Sequence, residues 1–203
     1  KSDRWKLQTI DQVYFKPFPG CRHIQPAVEA LIGALGDDQL IPDEIESISC
    51  STYPLAIAFA APPKKNNELY DKLMSIPWGI ATTILEGMPS VASLKVKSSK
   101  RLNKLYKKIS VTTNRKHSHL YPEKLGASIK IVLKDKNIIK GECSLAYGDN
   151  FETKYFTPPG GALRPLLEEN MIERFLDLTV PVIGKARATK LLIKLNPHNN
   201  QSM

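Results

Sequence analysis

Apolar residues recur every three or four positions in several stretches of the chain, which is the period of an α-helix. The first stretch predicts a helix that begins at Pro26, because proline suits the first helical position, and that ends at Gly36 as its C-cap. The second stretch covers residues 69–87. Pro77 cannot lie deep inside a helix, so we predict an interruption there and a fresh start near Ser75.

Two further helices are predicted from the same periodicity. One covers residues 98–109, with apolar residues on one side and lysines on the other. The other begins at Leu166 and is predicted to break at Pro181 and Gly184.

Strict alternation of apolar and polar residues predicts strands elsewhere. Residues 43–52 alternate around Ile48 and Cys50, residues 109–113 are rich in β-branched types, and residues 127–135 and 138–147 form a predicted hairpin. The resulting order is helix, strand, helices, three strands, helix. This order predicts an α+β fold: a two-layer sandwich with helices on one face of a mainly antiparallel sheet, followed by C-terminal helices.

Composition and charge narrow the possible partners. The chain has 203 residues, 42% of them hydrophobic, which is enough for a substantial core. Its formal net charge of +9 favours anionic partners, namely nucleic acid, an acidic membrane face, or carboxylate and phosphate metabolites, without choosing among them.

Cysteine usage and hydropathy indicate the compartment. Three cysteines, with no Cys-x-x-Cys pair, predict reduced thiols rather than a disulfide framework or a zinc site. No apolar run is as long as a membrane span, and no signal peptide opens the chain. We therefore expect a cytoplasmic protein. The first residue is lysine rather than methionine, so we also expect a fragment or a processed chain.

The segment from Phe15 to His23 is the first candidate site, since it places cations and two prolines directly before a helix. The prolines stiffen the loop that carries Lys16. Arg22 can grip a carboxylate through two parallel N–H bonds, and His23 can exchange a proton near neutral pH. With the partial positive charge of the helix N-terminus, these groups could bind a polycarboxylate. The alternative is a proline loop with solvated cations and a capping histidine.

Three other features have simpler alternatives. Ser75 could face an anion beside the next helix start, or could be a plain N-cap. The lysine run of residues 95–108 could bind phosphates of RNA, but its apolar stripe also fits the solvated side of a helix. His117 and His119 form an H-x-H pair with no third ligand nearby, so we predict a polar loop and no metal site.

Two motifs resemble the MmgE/PrpD family, which includes 2-methylcitrate dehydratase, cis-aconitate decarboxylase and iminodisuccinate epimerase. The first is "YFKPFPGCRHIQPAVEAL", similar to the family's pattern of aromatic-Lys-Pro-aromatic-Pro followed by Cys-Cys-Arg-His. The second is "LMSIPWGIATTILEG", similar to the family's Ser-Leu-Pro-Tyr segment that ends in Leu-Asp-Gly. The resemblance covers most of the chain.

The resemblance implies a partial molecule. Family members have a large helical domain built from both chain ends, with a smaller α+β lid domain inserted between them. Residues 1–160 correspond to the lid, and residues 161–203 to C-terminal helices that would pack on a helical domain outside this chain. The resemblance further implies a homodimer, no cofactor, and no activity without the helical half.

The resemblance also assigns roles to residues. Lys16 matches the family's active-site lysine, Arg22 and His23 match its Arg-His pair, and Ser75 matches a serine near the cleft. This chain departs at Gly20, where cysteine is usual, at Ile24, where threonine is usual, and at Gln25, where a second histidine is usual. Lys16 and His23 are therefore the expected catalytic residues, and Arg22 and Ser75 the expected substrate-binding ones.

The leading hypothesis is the C-terminal part of a cofactor-independent lyase that resembles 2-methylcitrate dehydratase, an enzyme of propionate metabolism. It would act on a small di- or tricarboxylate by proton abstraction beside a carboxylate. Two alternatives remain open at the level of sequence: a non-catalytic basic α+β module that binds RNA or a protein partner, and a degenerate family member used for assembly.

Overall fold

The computed structural model describes residues 16–60, 68–95, 99–146 and 168–195. The chain divides into two compact units, residues 1–165 and residues 166–203. The sequence-based domain boundary at residue 160 lies outside the described residues. The assignment of these units to a lid and to C-terminal helices stays a prediction.

The first unit contains seven described helices and four strands. A 3₁₀ turn, Arg22–Ile24, leads directly into the first helix. The helices are α1 (Gln25–Leu35), α2 (Pro54–Ala60), α3 (Leu69–Leu73), α4 (Ile76–Glu86), α5 (Val91–Lys95), α6 (Lys100–Tyr106) and α7 (Arg115–Leu120). The strands are β1 (Ile45–Thr52), β2 (Ile109–Thr113), β3 (Ala127–Leu133) and β4 (Ile138–Cys143). The second unit contains α8 (Glu168–Ile183) and α9 (Lys185–Leu195).

The four strands form one mixed sheet in the order β2-β1-β3-β4. The β1–β3 and β3–β4 pairs are antiparallel, and β1–β2 is parallel. β1 and β2 can pair in parallel because the connection between them is long. It contains helices α2 to α6 and brings the chain back to the end of the sheet where β1 begins. The α+β prediction with a mainly antiparallel sheet is confirmed.

Alternation along the strands gives the sheet one apolar and one polar face. On β1, Ile48 and Cys50 are buried, whereas Ser47 is exposed and Ser49 and Ser51 are half-buried. The facing positions on β3 follow the same pattern, since Ile129 and Ile131 are buried. The apolar face packs against α1, which crosses β3 and β4. The core therefore lies between this helix layer and one face of the sheet.

The helix boundaries agree with the sequence signals at the caps. α1 begins one residue before Pro26 and is capped by Gly36 at a φ of 55°. The interruption near Ser75 is confirmed, because α3 ends at Leu73 and α4 starts at Ile76. α4 then packs at Gly79 on α1 and on the turn before it, where an added Cβ would lie 3.1 Å from the Cγ2 of Val28 and 2.6 Å from the Cγ2 of Ile24.

Several elements differ from the predictions. Pro54 ends β1 as expected but also starts α2, because proline is accepted at the first helical position. The predicted break at Pro181 is wrong: α8 continues through it to Ile183 and ends at Gly184, whose φ of 80° favours glycine. α9 follows directly. No helix among the described residues is both long and apolar enough to cross a bilayer.

Candidate active site

The loop before α1 is fixed by backbone and amide hydrogen bonds. The backbone N–H of Cys21 donates to the carbonyl of Leu73 at 2.7 Å, which ties the loop to the end of α3. The Gln25 side chain donates through Nε2 to the carbonyl of Phe18 at 3.2 Å, and both residues are buried. Gly20 has a φ of 141°, which disfavours the cysteine usual in the family at this position. The cation-bearing loop is therefore an ordered part of the unit.

The two cations of this loop are held differently. The half-buried Lys16 donates from Nζ to the carbonyl of Gly20 at 2.9 Å, which closes the loop on itself. Arg22 starts the 3₁₀ turn that precedes α1 and is only 9% exposed. A buried arginine at a helix entrance suits the binding of a carboxylate, and this role stays a prediction.

His23 belongs to a cluster of aromatic rings. Its Nδ1 lies 2.6 Å from the hydroxyl oxygen of Tyr53, which directly follows β1. Phe59 of α2 stacks on the imidazole with ring centroids 5.9 Å apart. Behind Tyr53, the ring of Tyr121 stacks at 4.7 Å. The imidazole is therefore oriented by a hydrogen bond on one nitrogen and by a ring against its face.

The surroundings of His23 favour its neutral form. Burial lowers the pKa of His23, and the neighbouring positive charge of Arg22 lowers this pKa further. Both effects act against a second positive charge in the turn. At neutral pH His23 is therefore a neutral imidazole, able to donate a hydrogen bond from one nitrogen and accept one at the other.

Ser75 lies fully buried at the N-terminus of α4. Its Oγ accepts a hydrogen bond from the backbone N–H of Trp78 at 3.1 Å and lies 3.3 Å from the hydroxyl of Tyr106. These contacts are those of an N-cap. The structure brings Ser75 near the cation-bearing loop through the Cys21–Leu73 bond, two residues before it. Its predicted contact with a substrate carboxylate stays a prediction.

Ser75→Ala is expected to lower the free energy of unfolding by about 1–2 kcal/mol, because it removes the cap of α4 and the partner of the Tyr106 hydroxyl. Urea denaturation measures the change. Ser99→Ala removes the cap of α6 at an exposed position and serves as the matched control, with an expected loss nearer 0.5 kcal/mol. Equal losses of unfolding free energy in the two variants would show that the buried contacts of Ser75 add nothing to the cap.

The H-x-H pair lies on helix α7, not in the predicted loop. Residues two apart on a helix point in different directions, and accordingly His117 is buried and His119 exposed. The Nε2 of His117 lies 2.8 Å from the Oγ of Ser128 on β3. Within the described ranges, no group of three His, Cys, Asp or Glu side chains is placed to hold a metal ion.

Sequence reasoning missed the aromatic residues around His23. Tyr53 directly follows β1, Phe59 belongs to α2, and Tyr121 directly follows α7. None belongs to a motif with a known spacing. The one available signal was the position of Tyr53 directly after an alternating strand. A side chain at the end of a strand can reach the start of an adjoining helix.

Together these features define an α+β domain in which a mostly buried arginine and a neutral histidine form the turn before α1, and a lysine lies in the loop that precedes this turn. The chain matches the MmgE/PrpD C-terminal domain over residues 18–196, and it belongs to the MmgE/PrpD family. This membership supports a dehydratase or lyase at the level of the family. A comparison with curated proteins finds no significant match.

Proposed function

We propose that this chain forms the lid portion of a MmgE/PrpD-type lyase that acts on a small di- or tricarboxylate, similar to 2-methylcitrate dehydratase. The observation that supports it most is the ordered turn of Arg22 and His23 at the start of α1, within a chain that belongs to this family. The proposed reaction removes a proton from a carbon beside a carboxylate and expels hydroxide from the next carbon as water, leaving a carbon–carbon double bond.

The charges of the site suit this reaction. Loss of the proton places negative charge on the oxygens of the substrate carboxylate. Arg22 is mostly buried, so an ion pair between its guanidinium and that carboxylate would be screened little by water. The N-terminal end of α1 adds the partial positive charge of the helix dipole. In this proposal these positive charges stabilise the transition state.

The proposed roles follow from this arrangement. Arg22 binds a substrate carboxylate, and Ser75 contributes orientation at the N-terminus of α4. Lys16, whose Nζ donates a hydrogen bond within its own loop, stabilises the developing negative charge or exchanges a proton with the substrate. His23 takes part in proton transfer or in stabilisation of charge through its ring nitrogens.

Several further properties are part of the same proposal. The lid works together with a helical domain of the family type, the protein is a cytoplasmic homodimer, and the reaction uses no cofactor. An enzyme of this kind would serve propionate metabolism if 2-methylcitrate is its substrate. The basic charge of the chain, +9, is consistent with a polyanionic substrate.

Lys16→Ala is expected to lower turnover at least about tenfold, because it removes a positive charge from the site. The measurement is turnover of 2-methylcitrate by the chain co-expressed with a helical domain of the family type. A parallel assay of cis-aconitate, which has no hydroxyl group to expel, tests for decarboxylation instead. Lys134→Ala, at an exposed position after β3, is the control and should leave turnover unchanged. Unchanged turnover in Lys16→Ala would remove Lys16 from the mechanism, and the absence of turnover with any di- or tricarboxylate would contradict the proposed reaction.

A further inference from the structure

The hydrogen bond between His23 and Tyr53 has a preferred direction. The two atoms, His23 Nδ1 and Tyr53 Oη, lie 2.6 Å apart. A phenol hydroxyl, with a pKa of about 10, is a far stronger donor than the N–H of a neutral imidazole. The bare nitrogen of an imidazole is in turn a better acceptor than a phenol oxygen. The stronger arrangement therefore has the Tyr53 hydroxyl donating to an unprotonated Nδ1.

That direction fixes the position of the imidazole proton. In a neutral histidine one ring nitrogen bears hydrogen and the other does not. When Nδ1 accepts from Tyr53, the hydrogen lies on Nε2. We propose that Tyr53 is a positioning residue that holds neutral His23 in the Nε2–H tautomer, so that the imidazole offers the substrate a hydrogen-bond donor instead of a base. This inference rests on the proposed function for its substrate, but the tautomer itself does not.

The surroundings of Tyr53 keep this arrangement in place. Tyr53 is 0% exposed, and its ring is stacked on that of Tyr121 with an angle of 14° between the ring planes. On the other side of the pair, Phe59 stacks on the imidazole at an angle of 23°. Water therefore has little access to the Tyr53 hydroxyl.

The charge next to His23 supports the same assignment. Protonation of Nδ1 would reverse the hydrogen bond and create an imidazolium beside the guanidinium of Arg22. Burial and Arg22 both oppose this, and both lower the pKa of His23. A neutral imidazole can stabilise negative charge by donation from Nε2, as known for a neutral histidine that polarises a substrate carbonyl. The group that removes the substrate proton is then a residue other than His23.

Nitrogen-15 NMR of the full 203-residue chain, labelled in its imidazole nitrogens, tests this assignment without any substrate. At neutral pH the Nδ1 of His23 is expected to give a pyridine-type shift and its Nε2 a pyrrole-type shift. His23→Gln identifies the signal among the four histidines. A pyrrole-type Nδ1, or a mixture of tautomers, would overturn the inference.

Tyr53→Phe separates positioning from packing. The phenyl ring keeps the stack on Tyr121 but cannot donate to Nδ1. The bond stabilises neutral His23, so its loss is expected to raise the titration midpoint of His23 by roughly 0.5–1 pH unit and to shift the Nδ1 signal. Tyr121→Phe, the same change in the neighbouring ring, should leave both unchanged.

The two proposals fail in different ways. If no carboxylate is turned over while the NMR result holds, the reaction is wrong and the tautomer stands. If turnover is observed but Tyr53→Phe leaves the His23 signals and the midpoint unchanged, the positioning role is wrong and the reaction stands.

Discussion

Gly141→Ala is expected to lower the free energy of unfolding by about 3 kcal/mol or more. Gly141 lies on β4, where α1 crosses the sheet. A Cβ at this position would overlap the carbonyl oxygen of Ala30 and would lie 2.7 Å from the Cβ of Ala34. The first of these atoms is helix backbone, which cannot move aside as a flexible side chain can. The helix would have to lift from the sheet.

Gly33→Ala is the matched control for this prediction. Gly33 lies on α1 itself, at an exposed position where an added Cβ meets nothing within 4 Å. Alanine in the interior of a helix is favoured over glycine by about 0.5–1 kcal/mol, so this variant should be slightly more stable. Urea denaturation of both variants gives the comparison. A Gly141→Ala variant as stable as the parent would show that α1 does not approach β4 as described.

His23→Phe is expected to reduce turnover of the proposed substrate by about 10²–10⁴-fold. Phenylalanine keeps a ring to stack on Phe59 but removes both nitrogens, including the one that meets Tyr53. The loss should appear in kcat more than in KM, since a group that acts on developing charge contributes most in the transition state.

The control for this variant is His119→Phe, the same change at an exposed position of α7. Its turnover should equal that of the parent. Circular dichroism and urea denaturation of His23→Phe show whether the unit is still folded. A folded His23→Phe variant with parental turnover would exclude His23 from the chemistry.

The helices that the sequence predicted well are those whose ends are set by local chemistry. Gly36 and Gly87 adopt backbone conformations that favour glycine, and Ser75 accepts from the backbone of α4, so these ends depend on few neighbours. Pro181 shows the limit of such rules. Near the C-terminal end of α8, one missing backbone N–H did not end the helix, and Gly184 did.

The pairing of the strands and the full set of site residues depend on contacts between residues far apart in the sequence, which no local pattern predicts. The sequence identified β1 and β2 as strands, but their parallel pairing depends on how the intervening helices pack. Similarly, Lys16, Arg22 and His23 were found from one short segment and its family resemblance. Tyr53 lies thirty positions further along the chain from His23, and only the folded structure brings its hydroxyl to the imidazole.

The position of β1 in the middle of the sheet has a consequence for the nascent chain on the ribosome. Cys50 of β1 pairs with Val111 on one side and with Ile129 on the other, and both partners are made much later. Until they emerge, β1 has two unpaired edges that can join strands of neighbouring chains. β3 and β4, joined by the short turn around Lys136, can pair as soon as they leave the exit tunnel. A nascent chain that stalls between these points would expose a strand prone to aggregation, and is a natural target for chaperones.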